Sequence, residues 1–338
     1  MGRHKGQLLS HVFAIVCALI GAGVILVSKM RSDNSSLSAE EWEEIENKQY
    51  TIGLVLSGGG AKGAYEVGVW RALEELGLCN HIGVFSGTSI GAINSALFAT
   101  GETAANSEII WRELISKVFS LDETMSEETM ISLVENGMNA VLDANPNWME
   151  KLERSSSGET GVCDAGNLRR ILRTYLPRRW KRRAPYVYVT AQQKDTRQVV
   201  RFRLNGQSGV DYVERIMASA ACPLLFPPTI IDGVKYVDGG IEEIGGDNTP
   251  IAPALGHKNI KKLIVVYLQS RSECKTTIEM QVPSDIEVVR IYPSQNISGE
   301  LGLLGAIDTS DETVTRLIAM GYSDAMSALA RVKSGNGL

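Results

Sequence analysis

Gly87-Thr88-Ser89-Ile90-Gly91 sets a serine between two glycines in the G-x-S-x-G spacing of a nucleophile elbow. Glycine on both sides lets the chain reverse sharply and leaves the hydroxyl exposed. Such a serine attacks acyl carbonyls if it has a base and donors for the oxyanion. A second glycine turn, Gly58-Gly59-Gly60-Ala61-Lys62-Gly63, offers backbone N–H groups with no side chain in the way. Lys62 either holds that loop or favours an anionic substrate. The same turn fits G-x-G-x-x-G, but a dinucleotide site expects an acid about 20 residues on. Residues 80–86 (Asn-His-Ile-Gly-Val-Phe-Ser) contain none, so that reading is set aside.

Two groups compete as the base. In the chain order Ser, Asp, His only His257 follows Ser89 with a histidine, and it sits in a polar turn, Gly256-His257-Lys258-Asn259, where surface histidines are common. The other is a carboxylate. Residues 229–237 read as a hairpin turning at Asp232-Gly233, which gives Asp232 a structural job. Asp238 follows at once and precedes Gly239-Gly240, so it can face a site at close backbone approach.

Both glycine turns follow short apolar runs (51–57 and 82–86) and precede helical spacing (64–76 and 92–100). Strand, glycine turn, helix, twice in succession, predicts an α/β fold with a parallel sheet and the site at the strands' carboxyl ends.

The glycine loop, the elbow, the stretch 218–228 (Ala-Ser-Ala-Ala-Cys-Pro-Leu-Leu-Phe-Pro-Pro) and Asp238-Gly239-Gly240 occur together and in order. This set resembles the patatin-like phospholipase family over roughly residues 52–268. The resemblance implies a three-layer α/β/α domain with a mostly parallel central sheet. It implies Ser89 as nucleophile and Asp238 as general base of a Ser–Asp dyad without histidine, with Gly58, Gly59 and Gly60 as the oxyanion hole. Lys62, Gly63, Gly87, Ile90, Gly91, Gly239 and Gly240 would support these motifs. The expected substrates are acyl esters of phospholipids, lysophospholipids or neutral lipids, cleaved without a metal or other cofactor. One departure is the long segment between Asp238 and Asn248-Thr249-Pro250. As a base, Asp238 should have its pKa raised by burial. The alternatives are a His257-assisted esterase on soluble esters and a non-catalytic membrane scaffold of the same fold.

Residues 8–27 are apolar apart from Ser10 and His11, and as a helix would span roughly 30 Å of hydrocarbon. They predict an N-terminal transmembrane helix, read as an uncleaved anchor over 1–28 rather than a signal, with the globular body outside. An acidic linker follows over 29–50 and the hydrolase domain over 51–338. Net charge is −5, so no global positive field recruits nucleic acid. Cys17, Cys79, Cys163, Cys222 and Cys274 include no C-x-x-C pair, which speaks against a disulfide framework or zinc ribbon. Helical patterns near 104–118 and 127–142, with Trp148 and Met149, read as surface helices, or else as a cap over an acyl channel. Arg169, Arg170, Arg173, Arg178, Arg179, Lys181, Arg182 and Arg183 form a basic run, read as a solvated face with anionic-lipid docking as the alternative. The amphipathic stretch 312–332 is expected to close the sheet as a helix.

Overall fold

The computed structural model describes residues 38–118, 165–223, 225–242, 245–272, 274, 282–297 and 310–335. The expected anchor, the pattern at 127–142, Trp148 and Met149 lie outside them. Among the described residues no helix is long and apolar enough to cross a membrane. The chain divides into two units, Met1–Asn47 and Lys48–Leu338. Helix α1 (Ala39–Gln49) opens on a capping box: the Ser38 amide donates to Glu41 at 2.8 Å and the Glu41 amide to the Ser38 hydroxyl at 3.2 Å.

β1 (Ile52–Leu56) and β2 (Ile82–Thr88) are buried along their whole length. Such strands need apolar residues on both faces, which their continuous runs supply. β1 pairs in parallel with β2 on one side and with β7 (Lys262–Val266) on the other. β8 (Glu287–Ile291) extends the parallel set beyond β7, and β3 (Tyr186–Gln193) extends it beyond β2. β4 (Val199–Arg203), β5 (Thr229–Ile231) and β6 (Val234–Asp238) are antiparallel additions. The sheet has 8 strands and is mixed, with the mostly parallel core that was expected in β3-β2-β1-β7-β8 and antiparallel strands added at one end. The hairpin read at Asp232-Gly233 forms β5 and β6, with φ of 50° and 80° at its two turn residues.

The pairing at β3 positions the site. Thr190 pairs with Thr88 and with Arg201, and Ala191 pairs with Asp238 and with Val200. β4 therefore runs along one edge of β3, while β2 and β6 share the other edge end to end. The last residue of β6 thus meets the end of β2.

One face of the sheet packs against α2 (Ala64–Glu75), α3 (Ile90–Phe98), α4 (Ala104–Val118), α5 (Ala165–Tyr175) and α6 (Gly209–Ser219) in one apolar cluster. Each Leu, Val or Ile buried there contributes roughly 1.5–3 kcal/mol. The other face (Val55, Val84, Leu263, Val265) is covered among the described residues by α7 (Ala252–Leu255) and neighbouring loops.

α8 (Asp311–Gly335) covers the stretch expected to close the sheet, but it lies chiefly along α2. A Cβ on Gly68 would meet the Ile318 carbonyl at 2.0 Å, and one on Gly321 the Tyr65 carbonyl at 2.0 Å, so two glycines let these backbones touch. The Tyr65 hydroxyl donates to Asp324 at 3.0 Å across the same seam. The basic run is partly neutralised at home, because Arg169 forks onto Glu214 of α6 at 3.0 Å.

Between α2 and α3, Glu66 is wholly buried and takes a hydrogen bond from Asn94 Nδ2 at 2.7 Å; the same amide reaches the Gly63 carbonyl at 3.1 Å. Burial holds the Glu66 pKa well above the carboxylate range, despite the Asn94 bond. A raised acid stabilises the fold at low pH and loses that contribution as pH climbs through its folded value. Glu66→Gln is therefore expected to melt close to wild type at pH 4 and increasingly above it as pH rises toward 9, read by calorimetry.

Candidate active site

Ser89 has φ 56° and ψ −123°, a conformation rare for a residue with a side chain. The flanking glycines allow it by close approach. A Cβ on Gly87 would sit 2.1 Å from the Gly91 carbonyl, and one on Gly91 would sit 2.3 Å from the Leu56 carbonyl. α3 starts at Ile90, and the Ala92 and Ile93 amides close its first turn onto the Ser89 carbonyl at 3.0 and 3.3 Å. The positive end of that helix lies at the serine.

Asp238, the last residue of β6, is 4% exposed, and the Ser89 side chain lies near enough to its carboxylate to favour the charged form. The structure thus brings these two residues together through the shared edge of β3. The Gly240 amide donates to Asp238 Oδ1 at 2.8 Å. Burial raises the Asp238 pKa to about 6, against the lowering effect of the Ser89 and Gly240 bonds.

The glycine loop adjoins the serine: a Cβ on Gly58 would stand 3.1 Å from Ser89 Cβ. Its amides are not equivalent, however. The Gly58 N–H donates to Asn248 Oδ1 at 3.0 Å and to the Asn248 carbonyl at 3.3 Å. That amide ties the loop to Asn248. Among the described residues no hydrogen bond is formed by the Gly59, Gly60 or Ile90 amides. Lys62 is buried in the tight turn Gly60–Gly63, with its stem 3.2 Å from where a Gly59 Cβ would be. Of its two expected roles, the burial favours supporting the loop. Gly63 packs against Ile90 and Trp111.

Residues 247–250 cross the ends of β1 and β2 as a strap. Thr88 donates to the Asp247 carbonyl at 2.8 Å, and Ser86 to the Pro250 carbonyl at 2.7 Å. Ser57 and Thr249 share hydroxyls at 3.0 Å. The Asp247 amide returns to the Gly239 carbonyl at 2.7 Å, so the long segment after Asp238 loops out from ends held together. Asn248 also fills the space beside Gly240, where a Cβ would meet its Oδ1 at 2.4 Å. Gly239 lies as tightly on Thr190, whose carbonyl a Cβ would meet at 2.4 Å.

His257 is half-buried rather than on the surface. Its Nε2 bonds the Tyr188 hydroxyl at 3.1 Å, and its ring packs on Tyr186 at 4.7 Å, on the α7 face of the sheet. Desolvation, and secondarily the Arg203 charge, lower its pKa. Its partners are those tyrosines, not the serine. Sequence reasoning missed Asn248 as a clamp and the buried Ser219, which accepts from the Ser89 amide at 3.0 Å. Ser219 stood inside a quoted motif, but nothing local marked its partner.

A family model described as patatin-like phospholipase matches residues 54–255. The chain belongs to the patatin-like phospholipase family. It is 57% identical over 49 residues to a lysophospholipase nte1 of Aspergillus terreus, covering 14% of this chain and 3% of that protein. With patatin-like phospholipase domain-containing protein 7 of Rattus norvegicus it shares 43% over 82 residues, 24% of this chain and 6% of that one. The matched stretches thus span a small part of these relatives. Among solved structures, human GIVD cytosolic phospholipase A2 is similar with TM-score 0.45 and 11% identity, over 86% of this chain and 60% of that one.

The raised Asp238 acid favours folding below its ordinary value of 3.8, and that contribution is lost as pH rises through about 6. At pH 8 the buried charge costs the fold on the order of 3 kcal/mol. Asp238→Asn is therefore expected to melt a few degrees above wild type at pH 8, with the difference shrinking toward pH 4, as followed by circular dichroism.

Proposed function

We propose that this chain is a lipid acyl-ester hydrolase of the phospholipase A or lysophospholipase type, working through a Ser89–Asp238 dyad. The observation that carries the reading is a buried carboxylate beside the Ser89 side chain at a positive-φ elbow. Asp238 takes the Ser89 proton as Oγ bonds to the ester carbonyl carbon. The oxyanion is held by the Gly59, Gly60 and Ile90 amides, and α3 adds its dipole. Collapse expels the alcohol, which carries away the proton that Asp238 received, and leaves an acyl-enzyme. Water, deprotonated by the same carboxylate, then releases the fatty acid and restores Ser89.

A carboxylate of ordinary pKa is a weak base; burial brings Asp238 closer to neutrality and improves the transfer. The lysophospholipase name of the fungal relative and the family both favour a lipid ester. A lipid substrate also suits the apolar stretch 8–27, which we read as the segment that holds the enzyme at a bilayer.

Ser89→Ala and Asp238→Asn should each lower turnover of lysophospholipid and phospholipid by about 10³-fold or more, and His257→Ala should stay within about twofold. Fatty-acid release across a panel of lipid classes checks this; loss of activity in His257→Ala alone would replace the dyad with a triad. In wild type, kcat/KM should rise with pH through about 6 as Asp238 ionises.

A further inference from the structure

Ser219, the last residue of α6, has no exposed surface and holds two backbone groups at once. Its hydroxyl donates to the Thr190 carbonyl at 2.5 Å and accepts from the Ser89 amide at 3.0 Å. Thr190 is the last residue of β3 paired with β2, and Ser89 is the first residue beyond β2. The hydroxyl therefore stands between the carbonyl where that ladder ends and the amide that has turned away from it. A hydroxyl owns a single proton. With that proton on Thr190, only lone pairs face Ser89, so the polarity of the bridge is fixed.

The same turn reaches the other member of the pair. Two residues after Ser219, the Ala221 carbonyl accepts the Asp238 amide at 3.0 Å. The end of α6 thus grips the backbone of Ser89 through a side chain and the backbone of Asp238 through a carbonyl.

We propose that Ser219 is a positioning residue for the nucleophile, holding the Thr88–Ser89 peptide plane so that Ser89 Oγ stays on Asp238. The proposal rests on the reading of Ser89 as nucleophile. Ser89 at φ 56° is in a sparsely populated region that surrounding structure must impose. Without the hydroxyl, the Ser89 amide and the Thr190 carbonyl both lose a partner, and the elbow is free to relax. The Ser89 amide, once spent on Ser219, also supplies nothing to the oxyanion.

The test uses the full chain with Ser219→Ala, Ser219→Cys, Asn205→Ala and Ser89→Ala. Turnover of micellar lysophosphatidylcholine and the labelling rate with an alkyl fluorophosphonate are measured per folded molecule, beside melting temperature. Ser219→Ala is expected to lose about 10- to 100-fold in kcat and in labelling rate, with KM within about threefold, as misplacement of a reacting group predicts. Ser219→Cys, with a weaker acceptor in nearly the same volume, should fall between Ser219→Ala and wild type.

Asn205 calibrates instability alone. It ties down the carbonyls of Lys181, Arg183 and Pro185 before β3, at the far end of that strand from Ser89. Its alanine variant should melt lower yet label at the wild-type rate. Wild-type kcat and labelling per folded Ser219→Ala molecule, with only a lowered melting point, would overturn the proposal. If Ser219→Ala does not fold, the cysteine variant decides: reduced kcat supports the proposal and wild-type kcat overturns it. Labelling of Ser89→Ala at the wild-type rate would overturn the nucleophile reading, and with it this proposal, as a separately recognisable result.

Discussion

One edge of β3 is shared by two strands, and the dyad geometry follows from that arrangement. β2 occupies the edge up to Thr190, and β6 takes it over from Ala191 in the opposite direction. Two chain segments 149 positions apart (238 − 89) are thereby aimed at each other by ladder hydrogen bonds rather than by flexible side chains. Backbone ladders are stiff, so Asp238 needs little side-chain reach to accept from Ser89. The cost is a discontinuity at the junction, and a buried hydroxyl and a four-residue strap occupy it.

The site works against the stability of the fold around it. A residue with a side chain in the left-handed region costs of order 1–3 kcal/mol, and an ionised carboxylate shut away from water costs a similar amount at neutral pH. The surrounding core meets both. β1, β2 and the helices α2 and α3 are almost wholly buried, so the elbow cannot relax without disturbing well-packed apolar contacts. Glu66 is a different case: burial disfavours its ionisation, and through Asn94 it joins α2 to α3.

What the sequence made legible was local. Glycine turns between a strand and a helix, the G-x-S-x-G spacing and the Asp-Gly hairpin are each written within a few residues, and each appears where expected. The mixed sheet was less legible, because nothing in residues 199–203 or 229–238 says which edge they will join. Asn248 and Ser219 were silent for the same reason. Their partners lie 190 and 130 positions away, and an Asn before Thr-Pro or a Ser in an Ala-rich stretch has many ordinary uses. The engagement of the Gly58 amide with Asn248 was equally silent, because spacing predicts which amides are present, not which already have a partner.

The strap at 247–250 has a consequence for how the protein is made. Gly58, Ser57, Ser86 and Thr88 find partners only when that late segment arrives. A growing chain that has exposed only its glycine loop and elbow has neither the acid partner nor the clamp that shapes the loop. The glycine loop and the elbow therefore complete these hydrogen bonds only once residues 247–250 have been synthesised.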